Sequence, residues 1–460
     1  MADTRDKHYI LTVAVLTSFS GSLMLSAVNI ALPAIGNDLS MNAVQLGWVA
    51  QSFALSSAIF VLPFGRMADI WGRKKTFSSG LVIGTISTLI LTFSNSFLMM
   101  IILRVVQGLG MALMYSTGVA LLTSAYPPTE RGKVLGINLA AIYVGLSIGP
   151  TIGGILTQNF GWRSVFLLAL FIQIPALVLV LKKIQSEWRE AKGEKFDITG
   201  SILFSIMLFA IMYGFSCLPT VQGIISILIG ILALIAFVIW ELKNKSPLLN
   251  IHLLTRNRLF ALSNLAQFMF YSAIFSVSFI FSLYLQYIKG LSPQDAGLIL
   301  LAQPAMQAAF SSLAGRISDN IQPRKIASVS VIIALAGLLL LFSATENTSL
   351  LLIIVGLILV GLGIAFFSPP NVNAIMSSVE TKYYGVASAM DSTTRNIGMT
   401  FGMSILMLLF SLNMGTAQIT PEYYAEFAES TRTALLIFSG ICLCCIFVSF
   451  ARGKVVFTQK

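Results

Sequence analysis

Apolar blocks of about 20 residues, the length a helix needs to cross roughly 30 Å of hydrocarbon, recur from one end of this chain to the other. Lipid offers the backbone no hydrogen-bond partners, so only helices and closed barrels can span it. Barrel strands read as short alternating segments, and these blocks do not alternate. The expected fold is therefore all-α and polytopic. Composition agrees, because 56% of the 460 residues are hydrophobic and only 10% are charged, against about 25% in a soluble domain. The net charge of +11 sits between the blocks, which reads as membrane topology and contact with anionic lipid rather than nucleic-acid binding. Cys217, Cys442, Cys444 and Cys445 lie in or beside apolar segments and read as small packing residues, not disulfides or metal ligands. His8 and His252 are far apart in the sequence, and no nucleophile–base pair, metal cluster or phosphate loop is evident. Neither an enzyme nor a metal or cofactor is expected.

Spans are predicted at 9–32, 44–65, 76–95, 97–121, 133–157, 162–181, 198–216, 221–241, 259–288, 294–315, 326–344, 349–369, 385–411 and 432–451. The first block, after Lys7, runs about 24 residues with no small-residue cleavage site, so it is expected to stay as a span. With the N-terminus inside and strict alternation, nearly all of the 29 Lys and Arg residues fall in inside segments, Arg452 among them. The exceptions are Arg163, Lys289 and Arg432 outside, and Arg104 and Arg395 within spans. Such an asymmetry orients the chain, with fourteen spans and both termini cytoplasmic. The longest outer loop, about 412–431, carries Glu422, Glu426 and Glu429.

The chain also repeats itself. Gly65-Arg66-Met67-Ala68-Asp69 recurs 250 residues later as Gly315-Arg316-Ile317-Ser318-Asp319. Gly108-Leu109-Gly110-Met111-Ala112 recurs at 253 as Gly361-Leu362-Gly363-Ile364-Ala365, and Gly145 and Gly149 recur at 253 as Gly398 and Gly402. Three matches in order at nearly one offset indicate duplication. The expected organisation is a six-helix bundle over 1–184, an inserted hairpin with flanking loops over 185–257, and a second six-helix bundle over 258–460. Parallel repeats of this kind are a transporter architecture with substrate bound at the midplane between the halves.

Several strings carry more than topology. Gly65-Arg66-Met67-Ala68-Asp69-Ile70-Trp71-Gly72-Arg73-Lys74-Lys75 combines a tight turn with an acid and a basic cluster. Those charges can pair in one conformation and release in another. Arg104, in Leu103-Arg104-Val105-Val106-Gln107-Gly108, lies inside an apolar span, where an unpaired charge costs at least a few kcal/mol. The string Gly145-x-x-x-Gly149-Pro150-x-x-Gly153-Gly154 lets two helices approach closely and can bend its own helix. Together these strings resemble the second-to-third-helix loop, fourth-helix and fifth-helix signatures of the major facilitator superfamily. Asn29-Ile30-Ala31-Leu32-Pro33, Gly161-Trp162-Arg163, Phe196-Asp197-Ile198-Thr199-Gly200 and Tyr284-Leu285-Gln286 with Gly290, Ser292, Pro293 and Gly297 extend the likeness along nearly the whole chain. The resemblance is to the fourteen-helix drug/proton antiporter branch, the DHA2-like multidrug resistance exporters. It implies the major facilitator fold, gating roles for Gly65, Asp69, Gly72, Arg73, Gly315 and Asp319, and export by exchange through the fifth-helix signature. That branch commonly has an aspartate in helix one where this chain has Met24, so no acid is carried over there.

A proton-coupled carrier needs a titratable group exposed to each side in turn. Asp391 is the one acid well within a predicted span, and Arg395 follows four residues later on the same helix face. Burial favours the neutral acid, while Arg395 favours the anion. The pair is the candidate for proton coupling, the alternatives being a structural ion pair or, with the thirteenth helix starting near Gly385, a pair in the cytoplasmic funnel. The counterpart of Asp391 in the first repeat is Asn138. Candidate cavity residues are Met24, Asn29, Gln51, Phe53, Arg104, Gln107 and Tyr143 from one half, and Gln267, Phe270, Tyr271, Gln303, Gln307 and Asp391 from the other. Packing or lipid contact is the plainer reading for each Phe or Met. The expected function is export of small amphipathic or cationic compounds from a cell by proton-driven antiport in the plasma membrane. The partners would be a small-molecule substrate, protons and the bilayer, with no obligatory protein partner and no cofactor beyond the proton gradient. The alternatives are export of a specific metabolite (an amino acid, sugar or lipid precursor) or a non-transporting membrane sensor.

Overall fold

The computed structural model describes residues 4–189, 193, 196–244, 247–249, 251–318, 321–380 and 384–453. All regular structure among them is helical. The first six helices are α1 (Thr4–Asp38), α2 (Ala43–Trp71), α3 (Arg73–Leu91), α4 (Phe97–Ala125), α5 (Pro128–Phe160) and α6 (Arg163–Lys182). A hairpin follows, α7 (Ile198–Cys217) and α8 (Val221–Lys243), then the short α9 (Ile251–Arg256). The remainder is α10 (Arg258–Ile274), α11 (Ser276–Leu283), α12 (Pro293–Leu300), α13 (Ala302–Ser318), α14 (Pro323–Phe342), α15 (Leu350–Ser377), α16 (Tyr384–Asn413) and α17 (Tyr424–Ala451). Among the described residues, 13 helices are long and apolar enough to cross a membrane, with α10–α11 and α12–α13 each counted as one interrupted span. The remaining long helix is the 19-residue α3, which opens on Arg73, Lys74 and Lys75.

Local chemistry explains where these helices start. Asn42 and Gln45 form a reciprocal capping box at α2, with bonds of 2.8 and 3.0 Å. Ser96, Thr220, Asn257 and Ser292 cap α4, α8, α10 and α12 through their side-chain oxygens. The break between α12 and α13 precedes Pro304, which has no N–H for the carbonyl of Leu300. The ninth span is likewise interrupted at Phe275 and closes in a π-helical turn, Tyr284–Ile288. The predicted outer loop at 412–431 is shorter than the sequence suggests. A 3-10 turn at Pro421–Tyr423 leads directly into α17, so Glu426, Glu429 and Arg432 lie on that helix. An acid in the first turn suits the helix dipole, and the polar turns lengthen the helix beyond its apolar block.

The helices form two compact units, residues 1–205 with 290–301, and residues 206–289 with 302–460. In the first unit, α1 packs along α5, α2 along α4 and α3 along α4. In the second, α10 packs along α16, α13 along α15 and α14 along α15. These pairings repeat residue by residue. A Cβ built on Gly108 would lie 2.4 Å from the carbonyl oxygen of Phe53, and one on Gly361 would lie 2.3 Å from that of Gln303. On Gly145 and Gly398 it would lie 2.6 Å from the carbonyl oxygens of Phe19 and Phe268. The glycines that betrayed the duplication in the sequence are therefore where backbones meet. Ile224, Leu228, Leu232 and Ile235 of α8 are exposed, as lipid-facing residues are, and only 22% of its most apolar stretch is buried.

Candidate functional site

In the first unit, the tight turn between α2 and α3 is held from both sides. Arg73 pairs with Asp69 one turn earlier, Nε to Oδ1 at 2.9 Å, and its Nη1 donates to Ser124 Oγ at 2.6 Å. Gly72 has φ +127°, a conformation that favours glycine. A Cβ there would lie 2.6 Å from the carboxyl carbon of Glu187. That carboxylate accepts from the Lys74 and Lys75 amides at 2.9 and 3.2 Å, while the Arg73 amide donates to Trp188 O at 2.9 Å. An anion on the free N–H groups of α3 is favourable. Sequence reasoning missed Glu187, which comes from the segment after α6 and has no local pattern to announce it. Gly65 and Gly315 occupy equivalent places, beside Ser116 and Pro369. Asp319 lies outside the described residues.

Asp69→Asn is expected to leave expression within about twofold of wild type and to lower transport roughly tenfold. The change neutralises the acid of an i,i+4 ion pair worth about 1 kcal/mol, Asp69 being partly exposed, while Arg73 stays buried. Normal flux in this variant, measured beside membrane expression, would reduce the motif to a topology signal.

Arg104 is 1% exposed and does not snorkel. Its Nε donates to Val49 O at 3.1 Å, its Nη1 donates to Gln107 Oε1 at 2.7 Å, and its guanidinium lies 4.7 Å from the Phe53 ring centroid. Gln107 passes the bond on to Thr88 at 2.8 Å. Backbone carbonyl, amide and aromatic face together offset the desolvation of the cation. The Gly145–Gly154 string has two packing partners. Gly145, Gly149 and Gly153 lie against α1, where a Cβ on Gly149 would be 3.0 Å from Leu23 O. The outer part, Pro150 and Gly154, lies against α12. A Cβ on Gly154 would be 2.3 Å from Pro293 O, and one on Gly297 would be 2.3 Å from Pro150 O. Two strings read separately in the sequence thus form one contact.

In the second unit, Asp391 is 5% exposed and sits about two turns into α16. Its Oδ1 accepts from Gln267 Nε2 of α10 at 2.8 Å. The equivalent place in the first unit holds Asn138, whose Oδ1 accepts from Ser18 Oγ at 2.9 Å. Gln267 Oε1 in turn accepts from Asn371 Nδ2 of α15 at 2.9 Å, and Asn371 Oδ1 accepts from Arg452 Nη1 at 2.6 Å. Arg452, just past the end of α17, is 2% exposed. Its Nη2 donates to Pro323 O at 3.0 Å, so the end of α17 folds its basic side chain inward to satisfy buried carbonyls. Arg395 is half-buried on the same helix as Asp391.

The other cavity candidates divide by burial. Met24, Gln51, Tyr271 and Gln303 are buried, whereas Asn29, Tyr143 and Gln307 are half-buried. Gln303 accepts from Ser278 at 3.0 Å. Phe270 is fully buried and stacks on Phe367 with centroids 4.0 Å apart, a packing role within its bundle. Among the described residues, no cluster of three or more His, Cys, Asp or Glu is placed to hold a metal ion.

Comparison with known proteins agrees with this architecture. The chain is 28% identical over 444 residues to the riboflavin transporter RibZ of Clostridioides difficile, covering 95% of this chain and 96% of that one. It is 29% identical over 385 residues to the multidrug resistance protein Stp of Mycobacterium tuberculosis, covering 82% and 71%. To the tetracenomycin C resistance and export protein of Streptomyces glaucescens it is 26% identical over 407 residues, covering 87% and 74%. In fold it is similar to the crystal structure of the peptide transporter POT in complex with sulfate, with a TM-score of 0.71 at 14% identity, covering 96% and 94%. It is also similar to an inward-facing bacterial homologue of the lysosomal transporter Spinster, with a TM-score of 0.68 at 17% identity and 98% of both chains covered. The family description Major Facilitator Superfamily matches residues 14–241 and 264–456. The chain therefore belongs to the Major Facilitator Superfamily and is a multi-pass membrane transporter, not an enzyme.

Proposed function

We propose that this transporter is a proton-coupled antiporter of the plasma membrane that exports small amphipathic or cationic compounds by alternating access. Fourteen crossings with both termini cytoplasmic complete the reading, with α3 as the crossing whose basic first turn marks the cytoplasmic face. Cysteines placed at Lys183 and Glu422 are then expected to label from opposite sides of the membrane; labelling from one side would remove the fourteen-crossing topology.

The observation that carries the coupling is Asp391, a carboxylate buried within a helix where the first repeat uses a neutral asparagine for the same bond. The fold does not need a charge there, and a buried titratable group in a membrane helix is a functional-site hypothesis by default. Relatives named for multidrug resistance and for tetracenomycin C resistance and export support the drug-export direction.

A specific observation favours a second reading. The riboflavin transporter matches nearly end to end, and Met24 stands where the antiporter branch commonly has an acid. A planar metabolite of the flavin type is therefore the alternative substrate. Proteoliposomes with an imposed pH gradient, assayed with ethidium and with riboflavin, separate the two. Gradient-driven ethidium flux supports drug antiport, and riboflavin flux alone transfers the function to the metabolite. Flux of either compound that ignores the gradient would sink proton coupling.

A further inference from the structure

Four buried polar side chains, from α16, α10, α15 and the turn after α17, form a single chain in the second unit: Asp391, Gln267, Asn371 and Arg452. They are 5%, 0%, 0% and 2% exposed. The three bonds linking them, at 2.8, 2.9 and 2.6 Å, run in one direction. Arg452 donates to Asn371, Asn371 to Gln267, and Gln267 to Asp391. Each carboxamide therefore turns its oxygen toward the cation and its NH2 toward the carboxylate. Carboxamides do not release protons in this range, so the chain conducts electrostatic orientation rather than protons. Aligned hydrogen bonds polarise one another in a low-dielectric interior, and the arrangement is the one that a charge pair at its two ends would select.

We infer that Arg452 is a positioning residue for Asp391: through Asn371 and Gln267, it forms the far end of a relayed ion pair that sets how readily Asp391 takes up a proton. The inference rests on the coupling role proposed for Asp391 and adds the residue that tunes it. Other titratable groups lie on α16 and on the helices around the chain. On α16 itself there is Arg395. On α10 there are Arg258 at its start and Tyr271, and on α7 there are Tyr213 and Cys217. On α17 there are Tyr424, Glu426, Glu429 and Arg432 toward its start, then Cys442, Cys444 and Cys445; α14 brings Arg324 and Lys325 at the end where Arg452 bonds Pro323. The helices α11 and α15 carry no charged residue. Arg395 and Arg452 are therefore the cations to separate by mutation: Arg395 lies one turn along α16 from Asp391, and Arg452 ends the hydrogen-bonded chain that reaches it.

The test is a pH titration of the purified protein followed by infrared difference spectroscopy. The carboxyl band that disappears in Asp391→Asn is assigned to Asp391. Arg452→Gln is expected to move its midpoint to higher pH by about one unit, the size for unit charges on the order of 10 Å apart at an effective dielectric near 20. Arg452→Lys retains the charge and is expected to restore most of the wild-type midpoint. Asn371→Ser cuts the chain with every charge in place and is expected to move the midpoint in the same direction; it decides the matter where Arg452→Gln does not fold. A wild-type midpoint in both Arg452→Gln and Asn371→Ser, or in Asn371→Ser alone where Arg452→Gln does not fold, overturns the relay while leaving Asp391 as coupling acid. A wild-type protein with no titrating Asp391 band overturns the coupling reading and the relay together.

Discussion

Asp391→Asn is expected to abolish uphill, pH-driven export and to leave downhill exchange within about an order of magnitude of wild type. The variant should fold. An asparagine Oδ1 accepts from Gln267 as the carboxylate does, and the first repeat already contains this arrangement in Asn138 and Ser18. Only the ability to bind and release a proton is lost. Without it, a conformational cycle has no step at which the pH gradient does work, so the accumulation ratio is expected to fall to about one, whatever gradient is imposed. Counterflow of labelled substrate in the same vesicles measures what remains. If Asp391→Asn still concentrates substrate against its gradient, the coupling acid is elsewhere. If the protein fails to fold, the residue is a structural anchor of the α10/α16 seam.

The second large effect is on stability. Gly402 packs against α10, where a Cβ would lie 2.0 Å from the carbonyl oxygen of Ser272 and 2.8 Å from its carbonyl carbon. These are backbone atoms and cannot rotate away, so a side chain must push the helices apart by about 1 Å or more. The same seam carries the Gln267–Asp391 bond and the 3.4 Å contact of Thr394 with Asn264, which would lengthen with it. Gly402→Val is expected to cost about 3 kcal/mol or more and to lower the apparent Tm in detergent by roughly 5–10 °C. Gly440→Ala is the control, because nothing lies within 4 Å of a Cβ there. It is expected to be neutral, or stabilising by a few tenths of a kcal/mol. Equal melting of the two variants would mean that α10 and α16 are not in close contact.

Helix existence and the duplication were legible because both depend on local pattern. Apolar blocks mark the helices, and the glycines at constant offset mark contacts that each half repeats. Asp391 was legible for a related reason, since an acid in an apolar block stands out against its neighbours. What escaped is long-range or lies where a block ends. Glu187 caps α3 from more than a hundred residues away, and nothing in its own segment distinguishes it from a solvated acid. Arg452 reads as one more basic residue at a cytoplasmic helix end, and only the packing of α17 shows it turned inward onto Asn371 and Pro323. The start of α17 was misread because Glu426, Glu429 and Arg432 end the apolar block without ending the helix. Hydropathy measures where lipid begins, while hydrogen bonding and capping determine where the helix does.

Proton-coupled export is tested most directly by measuring proton counterflow. Wild-type proteoliposomes with a trapped pH-sensitive dye, poised without a pH gradient, receive a gradient of transported substrate. Substrate running down its gradient should drive protons the opposite way, giving a pH change whose sign reverses with the substrate gradient and which disappears in Asp391→Asn. Substrate movement with no accompanying pH change in the wild-type protein would contradict proton antiport.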